Sequence, residues 1–203
     1  MEEALKHLKK ADPKLHAVAL GIEVNQLVKP PDYFIDLVES IIGQQLSGKA
    51  ADTIFARFKK LFPGQKITAK QLLKIPDQKI RDAGLSFGKI KYIKGIAQAV
   101  IDQQLDLSKL ETMPDQEVID ELTKLKGVGQ WTAEMFLMFS LLRLDIFSAG
   151  DLGLQNAVIK LYGLKQKPSK QELLEISAKW SPHRTFASRI LWRSLEVKGV
   201  AAK

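Results

Sequence analysis

One segment of this chain, LKGVGQWTA at 125–133, constrains its fold more than any other. Two glycines flank one valine there, between a polar segment and an apolar run at 135–142. Because glycine has no Cβ, Gly127 and Gly129 allow a sharp turn and a close approach of the backbone to another molecule. A helix that starts directly after the turn points its free N–H groups and the positive end of its dipole outward. The segment therefore predicts two helices joined by a glycine turn, with a geometry suited to binding phosphate.

Helical periodicity extends over most of the chain from residue 33 onward. Apolar residues recur with the spacing of one helix face, and Ser, Thr, Pro and Gly mark where helices start and stop. These signals predict helices over 33–46, 47–58, 68–73, 76–84, 90–105, 114–125, 131–142, 154–162, 169–179 and 182–197. Alternating patterns are nearly absent, and the best strand candidate, 145–148, is better interpreted as a loop. We therefore expect an all-α fold, with the helix over 131–142 at its centre because much of it is apolar on all sides.

Composition limits the class of protein. The 203 residues suit one large domain or two small lobes sharing a cleft, and 45% of them are hydrophobic, which is enough for a core. A formal net charge of +8 favours a nucleic-acid partner but does not decide it, since many basic proteins never meet DNA. The absence of cysteine excludes disulfides, cysteine nucleophiles and Cys-ligated zinc or iron–sulfur clusters. The histidines, His7, His16 and His183, lack the spacing of metal ligands, and His183 is placed at a helix start. We find no secretory signal and no apolar run of about 20 residues, so we expect no membrane span.

Four parts of the sequence belong together: 41–47, the glycine turn at 125–133, the FSAGD segment that ends at Asp151, and 180–193. Together they resemble the helix-hairpin-helix superfamily of DNA glycosylases, in particular its alkylated-purine branch, the 3-methyladenine DNA glycosylase II type. Segment 125–133 resembles the family's hairpin, and Asp151, in the sequence FSAGD, stands at its essential aspartate. Segment 41–47, IIGQQLS, resembles its second signature, and 180–193 resembles its closing helices. The similarity spans roughly residues 33 to 197. It implies one glycosylase domain over 1–203, built from two helical lobes with the active-site cleft between them, with the hairpin at about 116–142 and no iron–sulfur cluster.

Two positions around the hairpin bear on the type of reaction. Lys126 stands where many family members have proline, and the turn can form without proline because the glycines carry the unusual dihedral angles. Members that also cleave the sugar–phosphate backbone use a lysine just after the hairpin as a Schiff-base nucleophile, whereas the matching residue here is Trp131. Lys126 lies on the other side of the turn. The resemblance therefore implies a monofunctional glycosylase, in which water attacks and an abasic site remains.

Asp151 is the catalytic residue that the resemblance implies. Cleavage of a base from deoxyribose builds positive charge on the sugar in the transition state, and a carboxylate beside C1′ stabilises that charge or orients and deprotonates a water. From local sequence alone, Asp151 also fits the N-cap of the next helix. The two roles are compatible, since a helix N-terminus keeps an aspartate ionised. The other nearby acids, Glu134 and Asp145, are interpreted as surface or capping residues.

Three residues are expected to contact the extruded base. The match to the family places Trp131 and Trp192 in the base pocket, where an indole face attracts an electron-poor alkylated purine by stacking and cation–π interaction, worth about 0.5–2 kcal/mol per contact. Met135 lies one helical turn beyond Trp131 and is expected to line the same pocket. The alternative for all three residues is ordinary packing in an apolar core.

An enzyme of this kind flips its target nucleotide out of the duplex, so a side chain must fill the gap. Gln45 matches the residue that fills the vacated stack in relatives, and Leu85 or Phe87 in the loop 84–88 is a candidate second wedge. The alternatives are a simple helix boundary at Gln44 and Gln45, and ordinary packing of Leu85 and Phe87.

The hairpin is expected to hold DNA phosphates through its backbone N–H groups, aided by lysine side chains. The residues assigned to this contact are Lys124, Lys126, Gly127, Val128, Gly129 and Thr132. In relatives, hairpin carbonyls also bind a monovalent cation, Na⁺ or K⁺, for which the matching carbonyls here are those of Thr123, Leu125 and Val128. That ion is structural, and no other cofactor is expected.

The implied function is base excision repair. The enzyme is expected to flip an alkylated purine such as 3-methyladenine or 7-methylguanine out of double-stranded DNA and to hydrolyse its N-glycosidic bond. We expect it to act as a monomer, in the cytoplasm with the nucleoid of a prokaryote or in a eukaryotic nucleus. Two alternatives stay open: a glycosylase for oxidised or deaminated bases, and a non-catalytic helix-hairpin-helix DNA-binding module. Asp151, Trp131 and Trp192 argue against the second alternative, because simple binding needs none of them.

Overall fold

The chain is helical, and a computed structural model describes its residues 1–197. Within that range there are twelve α-helices and no β-strand, which confirms the predicted all-α class. The α-helices are α1 (Glu2–Ala11), α2 (Pro13–Ala19), α3 (Tyr33–Gly43), α4 (Gly48–Lys59), α5 (Ala69–Lys74), α6 (Asp77–Asp82), α7 (Phe87–Ile101), α8 (Asp115–Thr123), α9 (Gln130–Met135), α10 (Leu152–Tyr162), α11 (Lys170–Ala178) and α12 (Arg184–Glu196). Short 3₁₀ turns occur at Pro63–Gln65 and Lys109–Glu111, and a π turn occurs at Phe136–Ser140. None of the helices in residues 1–197 combines the length and the apolar character that crossing a membrane requires.

Local capping signals explain where several helices begin. At the start of α5, the Thr68 hydroxyl accepts the Gln71 N–H at 3.2 Å. At the start of α11, Ser169 and Glu172 form a capping box. Ser47 stands at the N-cap of α4, although within the described residues its hydroxyl makes no capping bond. The predicted positions of these three helix starts are confirmed.

Eight of the ten predicted helices have both ends within three residues of the observed bounds, the exceptions being 90–105 and 131–142. Helix α7 begins earlier than predicted because the Ser86 hydroxyl caps it, accepting the Lys89 N–H at 3.3 Å, and it ends at Ile101. Helices α1 and α2 precede the region in which the periodicity predicts helices.

The apolar run at 135–142 is buried in its first half, but it is not one regular helix. Helix α9 passes directly into the π turn at Phe136–Ser140. Phe136, Leu137 and Met138 are at most 3% exposed, as the apolar pattern predicts. The prediction of a continuous α-helix to residue 142 is wrong, because the backbone widens into a π turn and then reaches a positive φ of 57° at Leu142.

By its internal contacts the chain divides into two compact units. Among the described residues, unit 1 contains 1–28 and 137–197, and unit 2 contains 29–136. In unit 1, α2, α10 and α12 pack against one another, and Trp180 is part of the buried core. In unit 2, α7 packs against α3, α5 and α6, and α8 packs against α9. Helices α8 and α9 of the predicted hairpin therefore lie in unit 2, whereas its last residues, 137–142, belong to unit 1, as does Asp151.

A buried carboxylate connects the helices of unit 1. Asp12, which is 3% exposed, accepts a hydrogen bond from Trp180 Nε1 at 2.7 Å and one from the Tyr162 hydroxyl. It also lies 3.1 Å from Lys179 Nζ and caps α2 by accepting the Leu15 N–H at 3.1 Å. Burial raises the pKa of Asp12, but these hydrogen bonds outweigh burial and hold the pKa below its ordinary value. The network is therefore built around an ionised carboxylate.

Candidate functional site

The hairpin of unit 2 has the predicted helix, turn and helix. Helix α8 ends at Thr123, and α9 begins after Gly129, which is its N-cap with an extended backbone. Gly127 has a φ of +91°, which L side chains disfavour, and an added Cβ would lie 2.4 Å from the Tyr92 ring. Two independent constraints therefore require glycine at position 127.

Replacing Gly127 with alanine is expected to destabilise the hairpin. The strained φ and the clash with Tyr92 together should lower the free energy of unfolding by about 2–4 kcal/mol. The comparison variant is Gly129→Ala, since its φ is −92° and its Cβ would meet no described atom within 4 Å. Thermal unfolding measures the difference, and equal melting temperatures for the two variants would contradict the requirement for glycine at 127.

Four of the hairpin residues assigned to DNA phosphate are accessible to it. Lys124, Lys126 and Gly129 are exposed, and Gly127 is partly exposed. Lys124 also pairs with Glu121 one turn earlier, and such surface pairs contribute little to stability. A phosphate can therefore replace Glu121 at little free-energy cost, and the phosphate contacts of these four residues stay predictions.

The other two residues assigned to phosphate are buried. Val128 is 5% exposed, and its N–H closes the turn by donating to the Leu125 carbonyl at 3.1 Å. Thr132 is 4% exposed, and its hydroxyl accepts a hydrogen bond from Gln44 Nε2 at 3.1 Å. Hydrogen bonds within the chain therefore engage the Val128 N–H and the acceptor side of the Thr132 hydroxyl, and the phosphate contacts of these two residues stay predictions.

The carbonyls predicted to hold a monovalent cation lie at the end of α8 and in the turn. Thr123 is the last residue of α8, where carbonyl oxygens lack an intrahelical partner and the helix dipole is negative. The Leu125 carbonyl accepts the Val128 N–H and keeps a second lone pair. Backbone carbonyl oxygens are the ligands that alkali ions take in proteins. The residues thus fit such an ion, which stays a prediction.

The turn between α3 and α4 presents the predicted gap-filling residue, Gln45. Its side chain is exposed and its φ is +59°, in the left-handed region that residues other than glycine rarely adopt. The preceding residue, Gln44, donates from Nε2 to the Gly127 carbonyl at 3.0 Å as well as to Thr132. The turn that carries Gln45 is therefore bound to the glycine turn of the hairpin. From sequence, Gln44 is only a helix boundary, since its partner lies 83 residues away.

Of the two wedge candidates, only Phe87 is exposed. Leu85 is 1% exposed and packs in the core of unit 2, so the prediction that it enters a DNA stack is wrong. Phe87 is 59% exposed at the start of α7, and the Arg81 guanidinium lies 5.5 Å from its ring centre. Phe87 therefore stays the one wedge candidate of the two.

In unit 1, Asp151 is the N-cap of α10, as the local sequence predicts. Its Oδ1 accepts the Leu154 N–H at 2.7 Å and the Trp192 indole N–H at 2.8 Å. Two donors on one oxygen fix the orientation of the carboxylate. Trp192, predicted only as a pocket aromatic, therefore also positions the predicted catalytic residue. Sequence patterns give no sign of this bond, which joins residues 41 positions apart.

Close packing around this carboxylate depends on Gly153, in the first turn of α10. A Cβ at Gly153 would lie 3.0 Å from Asp151 Oδ1 and 3.0 Å from Trp192 Cδ1. Either the carboxylate or the indole would have to move to admit a methyl group.

Replacing Gly153 with alanine is expected to lower activity more than stability. A displacement of about 1 Å costs about a hundredfold in rate, so a smaller shift of Asp151 is expected to cost about tenfold. Alanine favours the helix by about 1 kcal/mol, which offsets part of the crowding. The control is Gly95→Ala in α7, where an added Cβ would meet no described atom within 4 Å. Single-turnover base release measures the effect, and equal rates for the two variants would contradict the expectation.

Unit 1 also contains a pocket of 370 Å³ beside the Trp192 ring. The ring of Phe139 lies 6.0 Å from that of Trp192, centre to centre, and both rings line the pocket. Polar lining comes from Glu23, Arg189 and Arg193, among others. The pocket therefore combines two aromatic faces with a largely polar and charged lining. The sequence does not predict a pocket role for Phe139, because it is one of many apolar residues in the run at 135–142.

The other predicted pocket residues, Trp131 and Met135, lie one turn apart on α9 of unit 2. Trp131 is 45% exposed and Met135 is partly exposed, and their pocket role stays a prediction. Glu134 on the same helix is 8% exposed and accepts a hydrogen bond from Gln130 Nε2 at 2.9 Å. The interpretation of Glu134 as a surface residue is therefore wrong.

Asp145 binds the start of α12. Its carboxylate accepts the Arg184 backbone N–H at 3.1 Å and the Ser181 hydroxyl at 2.7 Å, and it forms an ion pair with the Arg184 side chain at 2.8 Å. Burial raises the pKa of Asp145, but the bonds from Arg184 and Ser181 outweigh it and lower the pKa. The predicted capping role is confirmed. His183 is the N-cap residue of the same helix, which confirms its predicted place at a helix start.

Comparison with known proteins covers most of the chain. A family model, that of the HhH-GPD superfamily base excision DNA repair protein, matches residues 38–183. The chain is 35% identical to DNA-3-methyladenine glycosylase 1 of Schizosaccharomyces pombe over 172 residues, which cover 84% of this chain and 75% of that protein. It spans 58% of the length of a Bacillus subtilis relative, YfjP, to which it is 34% identical.

Two solved structures are similar over nearly the whole chain. DNA-3-methyladenine glycosidase from Bacillus halodurans superposes with a TM-score of 0.82 at 40% identity, over 94% of this chain and 88% of that one. The 3-methyladenine DNA glycosylase Mag1 of Schizosaccharomyces pombe, solved in complex with abasic DNA, superposes with a TM-score of 0.85 at 31% identity, over 97% and 98% of the two chains.

Proposed function

Since this chain belongs to the HhH-GPD superfamily of base excision DNA repair proteins, we propose that it is a DNA glycosylase of the 3-methyladenine type, which releases alkylated purines from duplex DNA. The substrates meant are bases such as 3-methyladenine and 7-methylguanine, and the product is an abasic site. One observation carries the proposal: Asp151 is held by two N–H donors, and one donor, Trp192, also lines a pocket.

Asp151 is the proposed catalytic residue. The N-glycosidic bond breaks with its electron pair passing to the base, and positive charge develops on the sugar, where a nearby carboxylate stabilises it. Water then bonds to C1′ and loses a proton, which Asp151 accepts. Because Leu154 and Trp192 both bind Oδ1, the carboxylate keeps one orientation throughout. An alkylated purine is already a good leaving group, so one carboxylate suffices for a useful rate.

Aromatic side chains are proposed to recognise the base. Trp192 and Phe139 offer two ring faces in unit 1, and an electron-poor or cationic purine is attracted to such faces. Trp131 and Met135 are proposed to contact the base as well. Contacts with aromatic and thioether groups require no particular hydrogen-bond pattern, which suits an enzyme that accepts more than one alkylated purine.

The residue that follows the glycine turn of the hairpin, Trp131, supports a monofunctional reaction. Trp131 occupies the position at which lyase members of the family carry their nucleophilic lysine, and an indole cannot form a Schiff base. The abasic product is therefore proposed to leave with its sugar–phosphate backbone intact.

We propose that the protein binds double-stranded DNA that contains an alkylated base. A net charge of +8 and the exposed Lys126 and Gly129 of the hairpin support binding through the phosphate backbone. Gln45 is proposed to fill the gap that the flipped nucleotide leaves. We propose a monomer as the active form, located with the nucleoid or in the nucleus.

The test is base release from DNA treated with a methylating agent. Chromatography should show free 3-methyladenine and 7-methylguanine, and strand breaks should form only after heating in alkali. Strand breaks without alkali would overturn the monofunctional proposal. Release only from duplexes with 8-oxoguanine or uracil would replace the proposed substrate class, and duplex binding without any release would identify a DNA-binding module instead.

A further inference from the structure

A lysine outside the predicted site holds the turn that carries Gln45. Lys89, in the first turn of α7, donates from Nζ to the Ile42 carbonyl at 2.7 Å and to the Gln44 carbonyl at 2.6 Å. Both carbonyls stand at the C-terminal end of α3, where backbone oxygens lack intrahelical partners and the helix dipole is negative. An ammonium group satisfies both the orphan oxygens and the dipole.

Hydrogen bonds hold both the side chain and the backbone of Lys89 in place. Burial lowers the pKa of Lys89, and two backbone carbonyls accept hydrogen bonds from its ammonium group. Its backbone is fixed as well, because its N–H donates to the Ser86 hydroxyl that caps α7. A lysine that merely attracted DNA phosphates would extend into solvent instead.

The turn that carries Gln45 needs such support. The φ of +59° at Gln45 is unfavourable, and a strained backbone persists only where its surroundings hold it. Both sides of the preceding residue are held: Lys89 binds the Gln44 carbonyl, and the Gly127 carbonyl binds the Gln44 side chain. The residue directly before the strained Gln45 is therefore bound to two elements, α7 and the hairpin.

We propose that Lys89 is a positioning residue for DNA recognition: through the Gln44 carbonyl it holds Gln45 in the conformation that fills the gap in the duplex. This inference rests on the proposed function, in particular on the role of Gln45. Lys89 acts through the turn, because its ammonium group is directed at backbone oxygens of this chain.

The first test compares three variants on a duplex with one 7-methylguanine. Lys89→Met keeps the length of the side chain and removes its donors, and single-turnover release should fall by about ten- to a hundredfold, the loss expected for a charge-assisted hydrogen bond. Lys89→Arg keeps the donors, and its rate should lie within about threefold of the native rate. Lys91→Met removes the same charge from an exposed position on α7 and should stay within about twofold of the native rate.

Two further measurements separate positioning from a merely structural role. A single-stranded substrate has no stack to fill, so Lys89→Met should release its base at nearly the native rate. In a Gln45→Ala background, Lys89→Met should have no further effect on the duplex, because the two residues act in one pathway. Equal losses on both substrates, or additive losses in the double variant, would overturn the proposal.

A binding measurement keeps the inference independent of catalysis. The probe is a duplex with a tetrahydrofuran abasic analogue opposite 2-aminopurine, whose fluorescence reports on stacking beside the gap. Lys89→Met should weaken the change in fluorescence that the native protein causes, and Lys91→Met should not. If the native protein released no base, the proposed function would fail, while this comparison would still decide whether Lys89 positions the turn.

Discussion

Replacing Asp151 with asparagine is expected to slow base release by about 10²- to 10⁴-fold and to leave the fold intact. Asparagine is as good an N-cap as aspartate, and its Oδ1 can accept the same N–H groups of Leu154 and Trp192. The substitution removes the negative charge that is proposed to stabilise the sugar and the group that is proposed to take the proton from water. Single-turnover release from a methylated duplex, with affinity for that duplex measured by fluorescence anisotropy, separates chemistry from binding.

The matched control for Asp151→Asn is Glu175→Gln, which removes one negative charge from an exposed position in unit 1. Its rate should stay within about twofold of the native rate, as for most surface substitutions. Equal losses in the two variants would exclude Asp151 from the chemistry. A large loss of DNA affinity in Asp151→Asn alone would make it a binding residue instead.

Replacing Asp12 with alanine is expected to have the largest effect on stability, a loss of about 3–5 kcal/mol in the free energy of unfolding. Trp180 is fully buried, so its indole N–H would lose an acceptor that water cannot replace, and Tyr162 and Lys179 would lose the same partner. Urea unfolding measures the loss. Glu175→Ala, at an exposed position, should change the same free energy by less than about 0.5 kcal/mol.

The stabilisation by Asp12 should depend on pH. Its pKa is lower in the folded chain than in the unfolded one, so its contribution is fully present above the unfolded pKa of about 4. As the pH falls through the lower folded pKa, the carboxylate takes up a proton and the contribution is lost. The difference in unfolding free energy between the native chain and Asp12→Ala should therefore shrink below pH 4. A difference that stayed constant to pH 2 would show that the charge of Asp12 is not what stabilises the network.

Helix positions could be predicted where local chemistry decides them. Thr68 and Ser169 cap the helices that follow them, and both starts are visible in the sequence. The start of α7 depends on the equally local Ser86, but the apolar pattern places it at residue 90. Helix α2 shows a start signal too, with Asp12 as the cap and proline at the next position, but it is short and lacks a long periodic pattern.

The site could be predicted as a set of residues, but its contacts could not. The resemblance assigns roles to Asp151 and Trp192, whereas their hydrogen bond depends on how α10 and α12 pack. Lys89 and Gln44 were missed because each acts on residues far away in the sequence. Leu85 was misassigned because a short loop carries no periodicity that tells inward from outward side chains.

The three tryptophans occupy three different environments, which gives the molecule built-in spectroscopic probes. Trp180 lies in the core of unit 1 against Asp12, Trp192 adjoins Asp151, and Trp131 is 45% exposed beside the hairpin turn. Protein expressed with fluorotryptophan in place of tryptophan therefore carries one ¹⁹F nucleus in the core, one beside the Asp151 carboxylate and one at the hairpin. A titration with DNA followed by ¹⁹F NMR can report separately on contact with the hairpin and on arrival of a base beside Asp151, with the core nucleus as an internal reference.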